Sequence, residues 1–320
     1  MDQAPLLELV RRRRELLDHP LLWTLSHLES LGCHFDDLET STSSTSSTSS
    51  EDAALAENLA RNLSPEGKLR SLSKILLRTK GGFTLFRRGS YFFLQGRLIH
   101  RTLFHEFHRH ETTYLASDMI GYIHYPSING ARWRHCAGRA RASKVPGRYL
   151  ELLDSATPKD WTKDPIFLFT LLAMAQRQQR KSPKLARCVD YPLDHFINTE
   201  LCSPQTRLLA TNVLDLELVL LCEAEINADV LDALRNLKTA AMPRTWPTIR
   251  RKMIPSKPYD TFAGRLMNEL LGTNPSDLFK HANDTTSPGT KRRYKGGEGD
   301  EDNGPHKSRR ISDTYNCRDS

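Results

Sequence analysis

Apolar residues recur at helical spacing from the amino end: Leu6, Leu7, Val10, Leu16 and Leu17, then Leu21, Leu22, Leu25 and Leu28. The pattern predicts helix over 5–31, broken near Pro20. At Ser64, Pro65 and Glu66 a capping hydroxyl, a first-turn proline and an acid stand in order, so a helix is expected from there to about Thr79, stopped by Gly81 and Gly82. FTLFR and YFFLQ then flank Arg88, Gly89 and Ser90, which predicts a β-hairpin of aromatic strands with an arginine-bearing turn. Helical spacing returns from Arg97 to about Tyr114. Asp164 and Pro165 open a buried helix over 164–180, around IFLFTLLAMA. RLLATNV (207–213) and LELVLLCEAEI (216–226) make the clearest strand pair. A helix from Ala228 to Leu237, a strand over 248–254 and a helix from near Asp260 to Gly272 complete the pattern. Together these elements predict an α+β fold: a mostly helical body with a small antiparallel sheet, flanked by disordered segments.

The polar segments set the expected domain limits. Thr40 to Ser50 is an unbroken run of serine and threonine that cannot bury a core, and residues 29–66 hold eight acids against one base, Arg61. Residues 273–320 are polar, glycine-bearing and mixed in charge. The chain therefore divides into an N-terminal helical segment (1–35), an acidic Ser/Thr-rich disordered linker (36–63), an α+β domain (64–272) and a disordered tail (273–320). Hydrophobic residues make up 38% of the chain, as expected of a folded body diluted by such segments. Six cysteines without a C-x-x-C pair read as free thiols in a reducing compartment. The amino end has too short an apolar stretch for a signal sequence, and no run approaches the ~20 residues of a membrane span. The expectation is a soluble intracellular protein without a membrane partner.

Charge sharpens the picture. The formal net charge is +8, and it is concentrated. Between Glu66 and Glu106 stand nine bases and no acid: Lys68, Arg70, Lys74, Arg78, Lys80, Arg87, Arg88, Arg97 and Arg101. Residues 119–150 repeat this with Arg132, Arg134, Arg139, Arg141, Lys144 and Arg148. Such stretches mark a surface that meets a polyanion, with Arg87, Arg88, Arg132, Arg134, Arg139 and Arg141 as contact candidates. Trp133 and His135, inside RWRHCAGRAR, offer stacking surfaces for unpaired bases. The hairpin does not complete an RNA-recognition signature, because serine follows Arg88-Gly89 where that pattern has an aromatic. Phe83, Phe86, Phe92 and Phe93 are read instead as core.

Two groups carry candidate chemistry. HEFHRHE (105–111) lacks the zinc-protease spacing, since Arg109 occupies the position of the second histidine. On a helix, Ile99, Leu103, Phe107 and Tyr114 form one stripe and Arg101, His105, His108 and Thr112 the other, with His110 on the apolar side one turn after Glu106. Glu106 and His110 are thus a candidate metal-ligand or acid–base pair, or a histidine satisfied in the core. Asp215, Glu223 and Glu225 sit in or beside the strand pair, in the approximate outline of a restriction-type nuclease site, though Glu223-Ala224-Glu225 lacks the lysine. No cofactor is specified by any motif.

In the tail, KRRYK (Lys291, Arg292, Arg293, Lys295) and KSRR (Lys307, Arg309, Arg310) are separated like the halves of a bipartite nuclear-import signal, which points to an import receptor as partner. The segments GRLIHRTLFHEFHRHETTYL, TNVLDLELVLLCEAEI and IPSKPYDTFAGRLMNELL resemble those of uncharacterised proteins of filamentous ascomycete fungi. The resemblance spans roughly 65–272 and implies one domain there, with no activity attached. The expected function is that of a non-enzymatic nuclear protein whose basic domain binds nucleic acid or an acidic protein. The alternatives are a metal-dependent nuclease-like enzyme and a cytoplasmic accessory or scaffold protein of a fungal pathway.

Overall fold

A computed structural model of the chain describes residues 6–39, 49–78, 82–86, 90–109, 119–143, 148–186 and 205–271. In chain order the elements are α1 (Leu6–Arg12), α2 (Leu25–Leu31), β1 (Phe35–Asp37), α3 (Ser50–Arg61), α4 (Pro65–Arg78), β2 (Phe83–Phe86), β3 (Tyr91–Leu94), β4 (Arg97–Arg101), β5 (His105–Arg109) and β6 (Met119–His124). There follow α5 (Tyr125–Ser143), α6 (Arg148–Ala156), α7 (Ile166–Ala186), β7 (Gln205–Asn212), β8 (Asp215–Glu225), α8 (Ala228–Arg235), β9 (Ile249–Pro255) and α9 (Tyr259–Leu271).

The sheet is not small. Seven strands pair in the order β1-β9-β8-β7-β6-β5-β2, and β3 and β4 form a separate two-stranded ribbon. The large sheet is mixed: β6 with β7 and β1 with β9 run parallel, and the other neighbours antiparallel. This overturns the expected helical body with a small antiparallel sheet. Side chains alternate along each strand, so each face needs its own cover. Leu220, Cys222 and Ala224 of β8 join the core formed with α2, α5, α7 and α8. Val219 and Leu221 face the opposite way, into the core formed with α3, α4 and α9. The result is a three-layer arrangement.

Several local expectations need correcting. FTLF and YFFL are not partners: β2 pairs with β5, and β3 pairs with β4. Phe83 and Phe92 are core as expected, whereas Phe86 is half exposed. The helix expected over Arg97–Tyr114 is instead β4 and β5, with the residues after Arg109 outside the described ones. The expected linker contains β1, paired with β9, and α3, whose Leu55, Ala56 and Leu59 are buried. The N-terminal segment belongs to the same body, since Leu16, Leu21, Trp23, Leu28 and Leu31 enter the core with α7.

Gly121 of β6 shows how closely α7 meets the sheet. A Cβ built there would lie 2.8 Å from Leu208 Cδ1, 2.9 Å from Met174 Sδ and 3.3 Å from Phe104 Cδ2. Gly121→Ala is expected to destabilise the fold by about 1–3 kcal/mol through overpacking. Urea unfolding checks this, and an unchanged midpoint would show that α7 moves away freely.

Candidate nucleic-acid interface

Two acid-free stretches of the sequence meet in space, and histidines form the seam. α5 is 19 residues long and contains no aspartate or glutamate. Ile128, Arg132, Cys136 and Ala140 point inward at spacings of four. Arg134 and Arg141 are exposed, and Trp133 beside them is 50% exposed. The two arginines stand seven positions apart, which places them on one helix face roughly 10 Å apart. β4 supplies exposed Arg97 and Arg101 with exposed Leu98 and Ile99 between them. Among the described residues only β3 pairs with β4, so its other edge has no ladder partner.

The seam is His19, His100 and His135. The His19 ring stacks on His135 of α5 at 4.1 Å and meets His100 of β4 edge-on at 4.9 Å. His19 is fixed by its Nδ1, which accepts a hydrogen bond from the Leu21 backbone N–H at 3.3 Å. Burial, with the charges of His135, His100 and Arg139, pushes the His19 pKa down to about 4. Burial and His135 lower His100 to about 4 as well. Burial and Arg139 lower His135. The rings are therefore neutral near pH 7, and the positive charge of the surface rests on the arginines. Arg139 is partly offset by Asp18, 3.9 Å away. Only the fold brings these three histidines together, and no local spacing announces them.

The contact candidates fare unequally. Arg134, Arg139 and Arg141 reach this surface. Arg132 does not; it is fully buried, a correction that follows from its place on the inward face of α5. Its Nη2 donates to Asp164 Oδ2 at 2.7 Å, its Nε to the Leu21 carbonyl at 2.9 Å and its Nη1 to Asn129 Oδ1 at 3.0 Å. Arg87 and Arg88 lie outside the described residues, as do the import clusters at 291–295 and 307–310. The remaining bases are divided between layers. Arg70 and Lys74 are exposed on α4, across the sheet from α5, while Lys68 is buried with its Nζ on the Leu59 and Ala60 carbonyls at 2.6 and 2.9 Å. Those carbonyls end α3, and burial lowers the lysine to about 8.

The candidate catalytic groups do not assemble. Asp215 and Glu225 stand at opposite ends of β8, roughly 30 Å apart at strand rise. Glu223 is buried and neutralised: Arg207 Nε donates to its Oε1 at 3.0 Å, and Lys252 lies 3.7 Å from Oε2 and 2.9 Å from Glu269. A lysine absent from Glu223-x-Glu225 thus arrives from β9, but as a member of an internal ion cluster. Glu106 is fully buried on β5, where period two sends it with His108 to one face and His105 to the other. Its Oε1 accepts from Ser90 at 2.9 Å and from Arg177 of α7, and its Oε2 lies 3.3 Å from His108 Nε2. His110 is outside the described residues. Among the described residues no three His, Cys, Asp or Glu side chains come together as a metal-ligand group. None of the described helices is long and apolar enough to cross a membrane.

No known protein family, no curated protein and no solved structure matches this chain.

Proposed function

We propose that the protein is a non-enzymatic binding module that engages the phosphate backbone of nucleic acid through α5 and β4. The observation that supports this reading is the meeting of the two acid-free stretches at His19, His100 and His135. It brings β4, with exposed Arg97 and Arg101, against α5, with exposed Arg134, Arg141 and Trp133. Guanidinium groups pair with phosphate oxygens in planar, bidentate fashion, and an exposed indole offers a face on which an unpaired base stacks. The preferred ligand is therefore single-stranded. The tail clusters Lys291–Lys295 and Lys307–Arg310 would carry the protein to the nucleus, and deletion of 288–312 from a tagged copy is expected to abolish nuclear accumulation.

Four phosphate contacts on a single strand predict a plot of log affinity against log salt with a slope of roughly −3. The double variant Arg134→Ala/Arg141→Ala is expected to flatten that slope by roughly 1.4. Titration of labelled single-stranded DNA and RNA at several salt concentrations checks both numbers. A slope near zero would remove the proposal, and preference for an acidic protein over either nucleic acid would replace its ligand.

A further inference from the structure

A second cationic feature lies at the tip of the β3–β4 ribbon and is built differently. Gln95 and Gly96 form the turn, both with positive φ (52° and 73°), and the Gln95 N–H donates to the Leu234 carbonyl of α8 at 2.9 Å. Gln176 of α7 holds β3 from the other side. Its Oε1 accepts from the Phe93 N–H at 3.0 Å, and its Nε2 donates to the Phe93 carbonyl at 2.8 Å. Between the ribbon, α7 and α8 lies a groove of about 320 Å³ lined by Phe93, Gln179, Arg180, Leu231 and Arg235. Its size is that of a small-molecule site, at the lower end of the range of roughly 300–1,000 Å³.

The groove presents two like charges. The Arg180 guanidinium lies over the Phe93 ring, 3.9 Å from its centroid, and has no acidic partner among the described residues. Arg235 donates to Gln179 Oε1 at 2.7 Å and meets Asp232 at 3.6 Å, in a half-exposed pair. Burial and the neighbouring Arg235 charge push the Arg180 pKa below its usual value. Two guanidiniums facing one groove with one weakly paired acid repel each other until an anion enters between them. Stacking on Phe93 fixes the orientation of the planar Arg180 guanidinium and leaves its edge N–H groups for the ligand.

We propose that this groove binds a phosphate monoester, with the phosphoryl oxygens held by Arg180 and Arg235 and the organic part lying against Phe93 and Leu231. The groove's arginines stand on α7 and α8 and those of the first proposal's test variant on α5, so Arg180/Arg235 and Arg134/Arg141 variants test the two proposals separately. Phenyl phosphate is the probe, because it couples a phosphoryl group to one flat apolar ring. Calorimetric titration of the full chain is expected to show phenyl phosphate binding more tightly than inorganic phosphate, with phenol not binding. Arg180→Gln and Arg235→Gln should each weaken phenyl phosphate about tenfold, since each removes a charged hydrogen-bond donor. Both side chains are exposed, so unchanged thermal melting of the variants certifies the fold. Single-stranded nucleic acid should bind the two variants as it binds the parent chain, whereas Arg134→Ala/Arg141→Ala should keep phenyl phosphate affinity. Absence of phenyl phosphate binding, equal binding of phenol, equal binding of benzoate, or parental affinity in both glutamine variants would each overturn the assignment.

Discussion

Asp164→Ala is expected to cost about 3–5 kcal/mol of stability, because it leaves a fully buried arginine without its counter-charge. Both side chains of the Arg132–Asp164 pair are inaccessible to solvent. Asp164 serves three donors at once: Arg132, the Tyr125 hydroxyl at 2.8 Å, and the Ile166 N–H at 3.0 Å, which opens α7. Burial and the Asp164 charge push the Tyr125 phenol far up, so it stays a hydrogen-bond donor. The pair ties α5 to α7 and, through the Leu21 carbonyl, to the N-terminal segment. In a chain of this size the loss corresponds to roughly 10 °C in melting temperature. The double variant Arg132→Met/Asp164→Leu should recover most of it, since replacing both buried charges by apolar groups removes the uncompensated one. Thermal melting of the three proteins checks the account; a double variant as unstable as Asp164→Ala would show that geometry, not charge, is at stake.

Acid should loosen the seam between α5 and β4. In the fold the pKa values of His19 and His100 lie at about 4, below the ordinary 6.5, and that of His135 is lowered too. Between those values the unfolded chain binds protons that the folded chain refuses. Stability is therefore full above about pH 6.5 and falls as the pH drops toward 4. Arg139 works in the same direction, while Asp18, 3.9 Å from it, partly counters its charge. His19→Gln/His135→Gln is expected to flatten the decline of melting temperature between pH 6.5 and 4. An equally steep decline in the variant and the parent would assign the acid sensitivity to other groups.

The sequence was most readable where its signals are local. α4 follows its Ser64 cap and Pro65, α7 follows Asp164 and Pro165, and β7 and β8 follow their runs of buried apolar residues. The ribbon failed for a reason of arithmetic. Ile99, Leu103 and Phe107 recur every four residues, which marks a helix face, yet they fall in β4, in the connection after it and in β5 of the large sheet, and of the three only Phe107 is buried. α3 was hidden by the serine run before it. Ser49 accepting from the Asp52 N–H at 3.2 Å, with Glu51 and Asp52 in the first turn, is a start signal present in the sequence all along. β6 is buried at every position and so shows no alternation, and β1 is three residues long. Without a local signal for these strands, the pattern points to a sheet smaller than the seven-stranded one. The interface was half legible: charge bias singled out residues 119–150, but not that they form α5, and Arg132 could be excluded only once its helix face was known. The histidine seam joins positions 19, 100 and 135, which nothing in the chain order connects.

The most direct test of the interface compares two variants of equal charge change on opposite layers of the fold. Arg134→Glu/Arg141→Glu alters α5, and Arg70→Glu/Lys74→Glu alters α4 across the sheet, at side chains that are exposed in each case. At physiological salt the α5 variant is expected to lose at least about tenfold in affinity for single-stranded nucleic acid, and the α4 variant to stay within about twofold of the parent. Equal losses would mean that overall charge alone draws the protein to a polyanion, and that α5 and β4 are not its binding face.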